Sequence, residues 1–220
     1  MKLQKLGGYA AIVAMCVGTA GVLALSPVIQ RRFGELSDPT KIMAAVSAAP
    51  AMFYVLNLST IVAYFLLLVM VLALHELMQA KAPNLTRMML IAGSAGTIMV
   101  MTEGLIYLKG MEIVAPAQDI SAYRAYAAIA AGIGAMGSIA YGCACLLIGC
   151  AILKTHALSR VLGLLIILMG VLAITGFIGM IPHLGDIFHL IAVPTTVWIG
   201  IALLRQKQPQ TVSKEMAISN

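Results

Sequence analysis

The 220-residue chain is 61% hydrophobic and 10% charged, with a mean hydropathy of +1.00, where a soluble domain carries about 25% charged residues. That composition excludes a water-soluble globule, and the abundance of apolar side chains excludes intrinsic disorder as well. The net charge of +6 reads as membrane topology and not as a nucleic-acid surface, since no aromatic-basic strand accompanies it.

A hydrocarbon core about 30 Å thick needs roughly 20 helical residues, so the charge-free intervals define the spans. The first, Lys5 to Arg31, holds 25 uncharged residues. The opening MKLQK and this apolar run resemble a signal peptide, but the run exceeds the usual h-region of about 7–15 residues. The only small-residue site, Ala24-Leu25-Ser26, is followed by Pro27, so the first helix is expected to be retained. Asp38-Pro39-Thr40 then reads as an N-cap with proline at the first helical position. KIMAAVSAA would be a short interfacial helix closed by Pro50.

Lys41 to Glu76 leaves 34 uncharged residues, Arg87 to Lys109 leaves 21 interrupted by Glu103, and Arg124 to Lys154 leaves 29. Arg160 to Asp186 leaves 25 and Asp186 to Arg205 leaves 18. The expected fold class is therefore all-α: a polytopic membrane protein, a six-transmembrane-helix bundle with a short interfacial helix after the first span. The spans fall at 7–29, 52–75, 88–108, 125–153, 161–181 and 186–204, in one domain over residues 1–205. Residues 109–124 suit a second interfacial segment, and 206–220 a disordered cytoplasmic tail. With the N-terminus inside, nine Lys and Arg fall on the inner side and five on the outer, which places both termini in the cytoplasm.

Glu103 is the leading candidate site residue, because an ionisable group in a span costs several kcal/mol unless it faces protein or water. Thr102 and Tyr107 offer hydroxyls beside it. It reads either as a proton- or cation-binding carboxylate or as a structural acid near the interface. His183, Asp186 and His189, spaced three and three, stand at the same outer side and could share one cleft with it. Two imidazoles and carboxylates are acceptable zinc ligands, although Asp186 after Pro182 and Gly185 is equally an N-cap. His75 and His156, near the inner surface, raise the alternative of a bis-imidazole haem. No cofactor is assigned.

Cys16, Cys143, Cys145 and Cys150 all lie inside spans, which implies no structural disulfide. Ala130, Gly134, Ser138 and Gly142 recur every four residues, a small-xxx-small stripe that should make the fourth span the most tightly packed. The stripe fits packing within the chain, or a homo-oligomer or other membrane-protein partner beside the lipid bilayer. The 15 methionines show no regular array for Cu(I) and read as adaptable packing. No phosphate loop, G-x-S-x-G or C-x-x-C occurs.

Three stretches carry a family resemblance: RRFGELSDPTKIMAAVSAAPAMFYVLNLSTIVAYFLLLVMVLAL, ALSRVLGLLIILMGVL, and IAVPTTVWIGIALL with Pro194 and Trp198. In this order the chain resembles the domain of unknown function 4386 family of bacterial six-helix membrane proteins. The resemblance implies a bacterial cytoplasmic membrane and brings no catalytic residues. Two functional classes follow from the residues. The preferred one is a non-enzymatic membrane protein, a small transporter, sensor or accessory subunit, with an outward-facing polar site around Glu103 and His189. The other is a membrane enzyme or redox protein holding a metal or haem through His and carboxylate ligands.

Overall fold

The computed structural model describes residues 3–33, 38–177 and 184–206, with the side chains of 22–33, 177 and 184–186 outside that description. All regular structure among them is helical: α1 (Leu3–Phe33), α2 (Pro39–Ala48), α3 (Pro50–Met78), α4 (Pro83–Ala117), α5 (Ile120–Thr155), α6 (Arg160–Phe177) and α7 (Leu184–Arg205). Four helices are long and apolar enough to cross a membrane: α3, α4, α5 and the Ile187–Arg205 part of α7. α6 carries a shorter apolar stretch, Arg160–Gly176, and α1 is 31 residues long. The expected tail falls almost wholly outside the described residues. Its first residue, Gln206, donates from Nε2 to the Ala157 carbonyl at 2.6 Å.

The helix ends follow local chemistry. The Asp38 carboxylate accepts the Thr40 N–H at 2.9 Å with Pro39 behind it, so α2 starts as its sequence dictates. The segment 109–124, expected as a separate piece between two spans, is instead the continuation of two long helices joined by Gln118 and Asp119. Two features explain the difference. The Lys109–Glu112 ion pair at i, i+3 supports helix where charge alone would suggest an exit, and Pro116 removes an N–H only at the last turn. Gln118 then takes the left-handed conformation, φ 52, and Asp119 caps α5 by accepting the Ala122 N–H at 3.0 Å.

Glycine contacts give the register between neighbours. Gly7 meets Ala73 and Gly18 meets Ala63, so α1 and α3 run antiparallel. Gly93 on Val71 and Gly104 on Ile61 do the same for α3 and α4. Gly96 lies on Tyr141 and Gly110 on Tyr126 across α4 and α5, while Gly142 lies on Gly170 and Gly149 on Gly163 across α5 and α6. Gly8 against Leu204 and Gly200 against Ile12 bring α7 back to α1 antiparallel, and α6 also packs on α7. The six long helices thus form a closed ring in chain order, with the start of α1 and the end of α7 at the same end of the bundle. α2 lies across α3, α4 and α5 at the other end.

The ring interior is filled toward the terminal end. There Leu67, Met70, Val71 and Leu74 of α3 pack with Ile148 and Ile152 of α5, Ile166 of α6 and Ile199 and Leu203 of α7. Its outside is apolar, with Phe65, Ile91, Ile98, Ile129, Met136, Leu164 and Leu190 exposed, as lipid contact requires. α5 buries 44% of its apolar window against 22–28% for the other three candidate spans, in line with its small-residue stripe. That stripe packs within the chain: Gly134 meets α4 and Gly142 meets α6.

A methyl group added at Gly96 would lie 2.5 Å from the Tyr141 backbone nitrogen, whereas one at Gly132 would meet nothing within 4 Å. Gly96→Ala is expected to lower stability in detergent by about 1–3 kcal/mol through overpacking. Gly132→Ala should match the parent or melt slightly higher. A thermal melt in which the two variants behave alike would refute this packing.

The Asp119 carboxyl is held below its ordinary range, first by the Ala122 N–H and then by the Ser121 hydroxyl. Its folded value is thus lower than its unfolded one. The cap's contribution is therefore present above the usual carboxylate range and fades as pH falls through it. Asp119→Asn keeps a capping acceptor and should flatten the acid limb of the melting-temperature profile, a difference that added salt reduces.

Candidate functional site

Above the packed layer the ring opens into a partly open cavity of about 380 Å³. α1 contributes Met15, Gly18 and Thr19, α3 contributes Thr60, Tyr64 and Leu67, α5 contributes Tyr141, and α7 contributes Phe188, His189, Ala192 and Thr196. The wall is mainly apolar with a few hydroxyls and one imidazole, the composition of a small-molecule site. The Tyr64 and Tyr141 rings stand edge to face, 6.3 Å between centroids. Thr60 donates to the Leu56 carbonyl at 3.1 Å, which satisfies its hydroxyl inside the helix.

His189, expected at the site, lines this cavity near the start of α7. Glu103 does not. Its carboxyl group lies against Gly134 of α5, where any added Cβ would collide with it, so it packs on a neighbouring helix. It stays within Coulombic reach of Tyr64 and Tyr107. The two hydroxyls expected as its partners are used elsewhere. Thr102 donates to the Ile98 carbonyl at 2.8 Å, and the Tyr107 hydroxyl pairs with that of Tyr123 at 3.1 Å. None of the described hydrogen bonds or ion pairs reaches Glu103.

His183 lies outside the described residues, as does the side chain of Asp186. The backbone at Asp186 is already helical within α7, so it does not occupy the N-cap position. Among the described residues no three His, Cys, Asp or Glu side chains converge as a metal-binding group. His75 Nδ1 lies 3.1 Å from the Thr86 carbonyl oxygen and so links α3 to α4. His156 takes the left-handed conformation that ends α5, φ 53. The four cysteines are free.

Tyr64 and Tyr141 were not among the candidates from sequence. Each stands alone in an apolar run, where an aromatic residue reads as core, and only the ring closure brings them together. A hint was present: two tyrosines deep in spans each bring a hydroxyl that lipid cannot satisfy. Comparison with protein-family models, curated proteins and solved structures found no match to this chain.

A carboxylate held at membrane depth for structure should lose stability when neutralised, whereas one retained for function carries a cost that neutralisation removes. With no described donor on it, Glu103→Gln is expected to melt in detergent at or above the parent temperature. A clear drop in melting temperature would identify Glu103 as a structural acid.

Proposed function

We propose that this chain is a six-span integral membrane protein that binds a small, largely apolar molecule with one polar group in the central cavity, as a small transporter or a sensor. The apolar helices fit an integral membrane protein. The observation that carries the finer reading is the cavity itself, with His189, Tyr64, Tyr141 and Thr196 set in an apolar wall and a packed floor beneath. An imidazole and phenols can orient a hydroxyl or carbonyl group, while the wall takes the rest of the molecule. Glu103, set behind Tyr64 in the α4–α5 seam, is the proton- or cation-responsive group of this reading.

The proposed orientation has both termini in the cytoplasm and the cavity toward the outside. Lys5, Lys81, Arg87, Lys154, Arg160 and Arg205 at the terminal end support it through the positive-inside preference. The resemblance to the domain of unknown function 4386 family belongs to the same proposal, and with it a bacterial cytoplasmic membrane.

The test uses 1-naphthol, an apolar bicyclic ring with one hydroxyl. A ligand in hundredfold excess over its Kd stabilises the folded state by about 2.7 kcal/mol, so the purified protein should melt several degrees higher with it. Ala192→Phe fills the cavity wall and should abolish the shift while melting normally without ligand. An equal shift in both proteins, or none in the parent, would overturn the reading.

A further inference from the structure

A second cleft of about 360 Å³ lies between α2, α3 and α4, away from the central cavity. The rings of Phe53, Tyr54 and Tyr107 line it together with Asn57, Ser47 and the Glu112 carboxylate. We propose that this cleft binds an organic ammonium group, held by these three aromatic rings and by Glu112.

The sign of the ligand follows from what the lining groups have left to offer. Most donors that face the cleft are already engaged. The Tyr54 hydroxyl donates to Glu112 Oε1, and the Ser47 hydroxyl donates to the Ala115 carbonyl at 3.1 Å. One hydrogen of the Asn57 amide goes to the Phe53 carbonyl at 2.9 Å, and the Tyr107 hydroxyl is paired with that of Tyr123. What remains is mainly acceptor capacity. Glu112 Oε2, with one described donor, keeps a lone-pair site, and no described hydrogen bond reaches the Asn57 oxygen, so the wall presents a carboxylate, an amide oxygen and π-systems, with little donor capacity for an anion.

Lys109 does not reverse this sign. Its ammonium bonds both Glu112 oxygens, at 3.0 and 2.8 Å, but it approaches from outside: its side chain is 69% exposed and it does not line the cleft. It shows that the carboxylate already accepts a cation, and a ligand ammonium would take the inner side of the same group. Aromatic rings attract a quaternary or primary ammonium within about 6 Å by their quadrupole, most strongly where water is excluded. The rest of the wall, Val46, Pro50, Leu108 and Met111, suits the short apolar body such a cation carries. The cleft lies beside α2, at the end of the bundle where lipid headgroups sit under the proposed six-span arrangement. The ammonium can therefore belong to a soluble amine or to a lipid headgroup.

The probe is choline chloride, compared with its neutral carbon isostere 3,3-dimethylbutan-1-ol, read by saturation-transfer NMR on the full chain in maltoside micelles. Choline should give a saturable signal and the isostere a much weaker one. Phe53→Leu, which keeps an apolar side chain but removes one ring, should weaken choline binding roughly two- to thirtyfold, the range of a single cation–π contact. Glu112→Gln should weaken it as well, and Phe53→Leu still decides the matter if the Gln variant fails to fold. Nanodiscs separate the sources. A choline signal present in phosphatidylglycerol discs but suppressed in phosphatidylcholine discs supports a lipid headgroup, and equal signals in both support a soluble cation. Equal binding of choline and its isostere, undiminished choline binding in both variants, or no choline signal in micelles overturns the proposal.

Discussion

Close backbone approach between neighbouring helices is the constraint on which this bundle rests. Lipid tails are as apolar as the side chains, so burial gives little drive for helix association, and dispersion at short range must supply it. Glycine makes that range accessible. Gly142 and Gly170 meet so closely that a methyl on Gly170 would lie 2.7 Å from the Gly142 carbonyl oxygen, and the Gly8–Gly200 pair repeats this at the ring closure. The glycines lie at corresponding depths on antiparallel neighbours, so they fix both the separation and the register. Chain-order neighbours joined this way leave the last helix beside the first.

The same constraint explains why the interior is asymmetric. At the terminal end, long aliphatic side chains from α3, α5, α6 and α7 meet across the ring and fill it. At the other end the inward positions carry Ala14, Gly18, Ala63 and Ala192, which hold the helices close without reaching the centre. Space remains, and hydroxyls and an imidazole are placed around it. Elsewhere several hydroxyls are satisfied within their own helices: Thr97, Thr155 and Thr175 all donate to the carbonyl four residues back, the arrangement lipid allows. Thr60 at the cavity wall does the same, whereas none of the described hydrogen bonds engages the Tyr64, Tyr141, His189 or Thr196 side chains that line the cavity.

The helices and their order were legible in the sequence because charge is so costly in lipid that its absence marks the spans. The Asp38 cap and the α2 helix were legible from three residues, and the small-residue stripe of α5 from its period of four. The ends of α4 and α5 were not, because Lys109 and Glu112 read as an exit from the membrane while their mutual pairing keeps them helical. Depth was also readable: Glu103 and His189 belong to the same half of the bundle. Which way each faces depends on the rotation of its helix, and that is set by glycine contacts with partners distant in sequence. Glu103 consequently turns to Gly134, whereas His189 turns to the cavity.

The two acids of α4 illustrate how one helix separates two environments. Glu103 and Glu112 are nine residues apart, which is about 13.5 Å of rise and about half a turn of residual rotation, so they project from opposite sides of the helix. Glu112 emerges at the α2–α3 side, where Tyr54 and Lys109 supply donors and a carboxylate is well accommodated. Glu103 emerges at the α5 side among apolar spans, where glycine makes room for it but no described group donates to it. Among apolar spans an ionised carboxylate without a described donor or counter-charge is costly. Glu112 thus has the donors an interfacial acid needs, whereas Glu103 sits at a glycine-made recess with no described donor, so two acids of one helix meet opposite electrostatic surroundings.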